Sequence, residues 1–225
     1  MKKPELAPKK RPSQPRSHDT FELIVETAGR LLEQVGFEQL TTNLVCKEAG
    51  LSPPALYRYF PNKYAILKEM GDRLMRAQDA AALDGLEDGG LVDLAFEERV
   101  ARSLEIQNRV IEITRSFPGS IAITRALRAV PMLDAVRIAS RNAVAAHHAI
   151  AYARFYPAIP IDALQTCAKL TIEMHYAAME AVLEDPGPDS QGIIEGVCRA
   201  TLLYADDLQR RHAAARTASS EPAPA

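Results

Sequence analysis

No run of apolar residues in this 225-residue sequence reaches the roughly 18 that a membrane span needs, so no spanning helix is expected. The basic start is not followed by an apolar stretch either, and a secretory leader is not expected. Cysteine is scarce. Cys46, Cys167 and Cys198 are odd in number and widely spaced, which argues against a disulfide framework and fits a reducing cytoplasm. Neither charge sign dominates: 27 Lys/Arg against 29 Asp/Glu leave a net charge of −2, unlike a polybasic nucleic-acid coat. Catalytic signatures are missing, with no G-x-S-x-G, no G-x-x-x-x-G-K-[ST] and no H-E-x-x-H. His147, His148, His175 and Cys167 do not compose a metal site. Adjacent histidines diverge by about 100° on a helix, and no i, i+4 His/carboxylate cluster completes one. No metal and no cofactor is expected.

What is present is helical. Apolar residues make up 47% and charged ones 25%, ordinary for a globular chain. Phe21, Ile24, Val25, Ala28, Leu31, Leu32 and Val35 form one stripe at helical spacing, with Asp19 or Thr20 to cap it and Gly36 to stop it. Further helices are expected over roughly 63–82, 91–117, 132–155, 161–184 and 190–212, separated by Gly89-Gly90, Pro118-Gly119, Tyr156-Pro157 and Asp185-Pro186-Gly187-Pro188. No strand alternation and no repeat occurs, so the fold class is all-α, with about nine helices expected. Charge is divided along the chain: residues 1–76 carry 13 Lys/Arg and 9 Asp/Glu, the remainder 14 and 20. A nucleic-acid-facing end and an acidic body are the implied division.

Residues 41–63 hold the informative motif. Thr42 can cap a short helix over Leu44–Ala49, which Gly50 ends. Ser52 then caps a second helix, Pro53–Phe60, with Pro53 and Pro54 where missing N–H groups break no bond. Two short helices about Gly50-Leu51 describe a helix-turn-helix. Thr41-Thr42, Val45-Cys46, Ala49-Gly50-Leu51-Ser52, Leu56-Tyr57-Arg58-Tyr59-Phe60 and Asn62-Lys63 resemble the DNA-binding domain of tetracycline-repressor (TetR) family regulators over residues 20–70. Cys46 stands where that family usually has Ala, Pro54 and Ala55 where Gly and Thr/Ser are common, and Tyr59 where His is frequent.

The resemblance implies a palindromic double-stranded DNA operator as partner. Thr42 would cap its helix against the DNA backbone, Tyr57 and Lys63 would contact phosphates, and the region around Pro53–Arg58 would read bases. The expected DNA-binding set is Thr42, Ser52, Pro53, Pro54, Ala55, Tyr57, Arg58, Tyr59 and Lys63. Arg58 alone there carries a guanidinium fork; Pro54 and Ala55 offer only apolar contacts, for instance to thymine methyls.

In the body, apolar helix faces broken by polar tips suit a small-molecule cavity. Ile106, Arg109, Phe117, Arg141, His148, Tyr152, Phe155, His175 and Met179 are its candidate lining residues. The resemblance further implies a homodimer formed through the last two helices, where Ala177, Ala178, Gly196 and Ala200 permit close approach. The expected division is a disordered basic arm over 1–18, the helix-turn-helix domain over 19–66, a ligand-binding and dimerisation domain over 67–212 and a disordered tail over 213–225. The function expected is a cytoplasmic transcriptional repressor released from its operator by a small-molecule effector. The alternatives are an all-α small-molecule-binding enzyme and a helix-turn-helix protein-interaction module.

Overall fold

A computed structural model describes residues 4–11, 15–84, 86 and 94–220, apart from the side chains of 155 and 217–220. The described residues form nine helices and no strand: α1 (Pro15–Gln39), α2 (Thr42–Ala49), α3 (Pro53–Tyr57), α4 (Lys63–Leu83), α5 (Phe96–Ser116), α6 (Ser120–Ala129), α7 (Asp134–Phe155), α8 (Ile161–Glu184) and α9 (Ser190–Ser220). None is long and apolar enough to cross a membrane. They fall into two compact units, Met1–Gln78 with Glu112–Ser140, and Asp79–Ile111 with Arg141–Ala225.

The first unit is built on the α1 stripe. Phe21, Ile24, Ala28, Leu31 and Leu32 bury against Val45 and Cys46 of α2, Leu56 of α3, and Ile66, Leu67, Met70 and Leu74 of α4. Phe60 stacks on Phe21 at 4.7 Å between centroids, and Tyr59 meets the same ring edge-on at 5.9 Å. Gly36, at φ 74, breaks α1 where the sequence placed its stop. The short helix α6 was not anticipated beyond the Pro118-Gly119 interruption, yet Ile123 and Leu127 complete this core. Backbone contact seats α6: a Cβ on Gly119, itself at φ 72, would lie 2.7 Å from the Gly29 carbonyl oxygen of α1. Against α4, a Cβ on Gly71 would lie 2.8 Å from Leu127.

Both expected tails need correction. Leu6 packs against the core, Lys9 N donates to the Tyr59 carbonyl (2.8 Å), and α1 already starts at Pro15, so the described part of 1–18 is a docked segment. At the other end α9 continues through Ser220, and only 221–225 lie outside the described residues. Prolines exclude residues 4–11 from a helix but not from an extended path with side-chain anchors. The Ala-rich 213–220 run is good helix sequence by propensity. The compact units also differ from a division at 66/67, because α6 packs on α1 and α4 within the first unit, the head that carries the helix-turn-helix.

In the second unit α8 and α9 pair, burying Leu164, Cys167, Ala168, Ile172 and Val182 of one helix and Ile194, Val197, Cys198 and Leu202 of the other. Arg99 grips Asp206 of α9 through two hydrogen bonds of 2.6 and 2.7 Å.

Candidate nucleic-acid interface and effector cavity

The local chemistry of residues 40–63 fixes which side chains face out. Thr41, in extended conformation, caps α2 by accepting from Leu44 N at 3.1 Å. The cap is thus Thr41 and not Thr42, because α2 starts at Thr42, two residues before Leu44. Gly50, at φ 63, ends α2, and the Leu51 N–H closes onto the Cys46 carbonyl at 2.9 Å. The Ser52 carbonyl receives Ala55 N and Leu56 N, while its hydroxyl makes no capping bond and stays exposed. With Pro53 and Pro54 at its first positions, α3 needs few caps.

α3 is one short turn, and this decides the surface. Leu56 is fully buried, Pro53, Pro54, Tyr57 and Arg58 are exposed, and Ala55 is half-buried. The Tyr57 hydroxyl and the Thr42 hydroxyl are hydrogen-bonded at 2.9 Å, so α2 and α3 hold each other's outermost polar atoms in place. Tyr59 does not belong with them. It is 4% exposed and its ring lies on Phe21, because the helical turn continues, with Phe60 N donating to the Leu56 carbonyl at 3.0 Å, and Tyr59 falls three residues after buried Leu56 on the inward face. A side chain so buried cannot reach DNA. Lys63 is half-buried, donates to the Phe37 carbonyl at 3.1 Å and sits 4.3 Å over the Phe37 ring. Asn62 caps α4 by accepting from Ala65 N at 3.0 Å. Sequence reasoning missed Lys47, an exposed cation in the last turn of α2. Its signal was there to read: four positions after Asn43, it lies on the same outward face.

The second unit contains a cavity of about 80 Å³ lined by Ala82, Ile106, Val110, His148, Tyr152, Ile172, Met179 and Leu202, with Gln107, His175 and Thr201 at one wall. Among the described residues, no Lys, Arg, Asp or Glu lines it. His175 is satisfied: Gln107 Nε2 donates to the His175 carbonyl (3.1 Å), so Gln107 Oε1 is left to accept the His175 Nδ1–H at 3.0 Å. His148 is not. Both ring nitrogens are buried and neither makes a hydrogen bond of good geometry among the described residues, the Ala82 backbone being a weak partner at most. Burial pushes both imidazoles down to about 4, the nearby Ala82 backbone only partly offsetting this at His148, so both are neutral at pH 7. Burial likewise raises the Tyr152 phenol to about 12.

Of the expected lining residues, Ile106, His148, Tyr152, His175 and Met179 are brought together. Three are not. Phe117 packs against the core of the first unit. Arg141 is buried between Glu173 (2.6 Å) and Glu180 (3.0 Å) and lies over the Tyr176 ring, a closed ion cluster. Arg109 reaches away to Asp84 at 2.6 Å. The side chain of Phe155 lies outside what the structure describes. No group of three or more His, Cys, Asp or Glu that could hold a metal occurs among the described residues.

Comparison with known proteins joins these observations. Residues 24–70 match the family model "Bacterial regulatory proteins, tetR family". Over 78 residues the chain is 35% identical to the HTH-type transcriptional regulator EthR of Mycolicibacterium smegmatis, covering 35% of this chain and 36% of EthR. It is 32% identical over 113 residues to the HTH-type transcriptional repressor DrrR1 of Streptomyces coeruleorubidus, covering 48% and 41%. With the class C tetracycline repressor protein of Escherichia coli it shares 39% over 54 residues, 24% of this chain and 25% of the repressor. These matches therefore span less than half of each relative. A tetR-family transcriptional regulator from Streptomyces coelicolor has the same fold over 87% of this chain and 89% of its own, at TM-score 0.62 and 17% identity. Residues 24–70 are thus similar to the helix-turn-helix of bacterial tetR-family regulatory proteins, and the all-helical fold is the one the Streptomyces coelicolor regulator has.

Proposed function

We propose that the protein is a homodimeric, sequence-specific DNA-binding transcriptional regulator of the cytoplasm, a repressor released by a small-molecule effector. The observation that carries this reading is the outward set Ser52, Pro53, Pro54, Tyr57 and Arg58 on a short helix held rigidly from below by Leu56. Pro53, Pro54 and Ala55 present apolar surface to base edges, and Arg58 supplies the guanidinium for a base or a phosphate. Thr42, Ser52 and Tyr57 offer hydroxyls to phosphates, joined by the ammonium protons of Lys63 that Phe37 leaves free. So few base-reading groups would discriminate weakly alone. Two copies related by a dyad square the discrimination, which favours a dimer on a palindrome.

The outer faces of the last two helices support that dimer. Ile193, Gly196, Ala200 and Leu203 are exposed at i, i+3, i+7 and i+10 on α9, and Leu170, Ala177 and Ala181 are exposed on α8. Such an apolar, small-residue stripe is what a helix shows to another helix at close range. Residues such as Leu164 and Val197 point into their own unit instead.

The uncharged cavity is the effector site of this reading. An effector that binds better to a conformation with wrongly spaced heads lowers operator affinity by the ratio of its two affinities. α4, which begins at Lys63 and supplies Ala82 to the cavity wall, is the segment through which that preference would be transmitted.

Selection of bound fragments from a random duplex pool tests the function. A palindrome with half-sites about one helical turn apart is expected, with affinity falling steeply as salt rises. Tyr57→Ala should weaken binding to all duplexes alike, and Arg58→Ala should either do the same or relax one base position. An unenriched pool, or binding indifferent to salt, would refute the reading and favour a protein-interaction module. Turnover of a compound held in the cavity would favour an enzyme.

A further inference from the structure

The basic segment before α1 is not a loose tail. Four independent contacts seat it on the head: the Leu6 side chain against the apolar core, Asn62 Nδ2 donating to the Glu5 carbonyl (2.8 Å), Lys9 N donating to the Tyr59 carbonyl (2.8 Å), and Arg11 Nη2 on Glu69 (3.2 Å). Tyr59 follows directly on Arg58, so the Lys9 backbone is pinned at the exit of the recognition segment. Lys9 and Lys10 are exposed, and neither ammonium is paired among the described residues. Arg11 is 66% exposed and shares Glu69 with Arg73, whose guanidinium also holds Glu22, so Arg11 helps to neutralise that pair of carboxylates. The position of this strap is set by its backbone, apolar and Arg11 anchors, while the ammonium groups of Lys9 and Lys10 are left over.

We propose that residues 4–11 form a second, pre-docked DNA-contacting element, in which Lys9 and Lys10 bind backbone phosphates flanking the half-site read by α3. The proposal rests on the DNA-binding reading above and adds a site to it. Charge complementarity and continuity with the exposed α3 surface select duplex phosphate as the occupant. Because the strap is ordered before binding, its cations meet phosphate without paying for chain ordering at that moment. Lysine ammonium groups on flexible stems carry no base-reading fork, so the contribution is uniform over sequences.

The test is anisotropy titration of the full chain on a selected duplex and on an unrelated duplex, from 50 to 200 mM salt. Lys9→Ala/Lys10→Ala should flatten the slope of log affinity against log salt by about 1.8, two phosphates' worth, while leaving the ranking of the two duplexes intact. Leu6→Ser keeps every cation but removes the apolar anchor, and should weaken both duplexes. A double variant with the wild-type slope would overturn the phosphate contacts, and a Leu6→Ser variant of wild-type affinity would overturn the pre-docking. If the wild type binds no duplex at all, the DNA-binding reading itself has failed, a result separate from either of these. Circular dichroism melting of each variant guards against misfolding, and a strap variant melting as wild type with lowered affinity is the supporting result.

Discussion

Lowering the pH from 7 to 5 should cost this protein stability through two particular side chains. His148 and His175 are held neutral by burial, their folded values near 4 against an ordinary 6.5. Between pH 6.5 and 4 the unfolded chain therefore binds more protons than the folded one, so stability is complete above 6.5 and drains as pH falls. With these values each imidazole removes about 2 kcal/mol by pH 5, and the pair about 4 kcal/mol, before the loss levels off near pH 4. Arg73 holds the Glu22 carboxyl below its usual range, so the stability it adds is present above the ordinary carboxylate value and is lost as pH falls from there towards the lowered one, mostly below pH 5. Urea unfolding at pH 7 and pH 5 measures the difference. His148→Phe removes one of the two groups and the two unpartnered ring nitrogens with it. It should be at least as stable as wild type at pH 7, and should lose about half as much on acidification. A variant that loses the full wild-type amount would show that His148 is not the buried neutral group described here.

Further predictions concern the seams of the fold. Gly119→Ala places a Cβ against the Gly29 carbonyl at an already left-handed φ, and should destabilise the protein by about 2 kcal/mol or more in urea unfolding. Gly187→Ala, which meets nothing within 4 Å, should be neutral or stabilising by a few tenths of that. Tyr59→Phe should bind DNA as wild type does, whereas Tyr59→Ala should cost about 3–5 kcal/mol of stability; reduced affinity of a fully folded Tyr59→Phe would return this residue to the interface. If the proposed dimer forms through α9, Ala200→Arg should leave a monomer in light scattering with the fold intact by circular dichroism; an undisturbed dimer would move the interface off α9.

How much of this was legible in the sequence depended on whether the cue was local. Periods of 3.6 residues marked α4, α7 and α8 within two residues of their observed ends, because long amphipathic helices repeat the same signal many times. α6 offered only ten residues after a Pro-Gly turn, and its place depends on Gly29 and Gly71, which lie far away in the chain. The docked strap was invisible for the same reason. Its proline content describes what it cannot form by itself, while its anchors, Asn62, Tyr59 and Glu69, belong to the segment beyond α2.

At the sites the differences come from neighbours that the local pattern does not contain. Tyr59 entered the expected DNA-binding set through the family resemblance, but it stands three residues after Leu56 on the buried face. Phe117 continues the stripe of α5 that includes Ile106, yet it closes the core of the head. Arg141 interrupts an apolar face and so resembled a ligand-binding group; the two carboxylates that neutralise it stand 32 and 39 residues downstream. His148 interrupts a similar face and finds no such partner. The sequence pattern of the two residues is the same, and only the three-dimensional neighbours separate a closed ion cluster from a polar group left open beside a cavity. If the proposed effector binds in this cavity, His148, which lines it, and not Arg141 is the side chain with hydrogen-bonding capacity left for the effector's polar end.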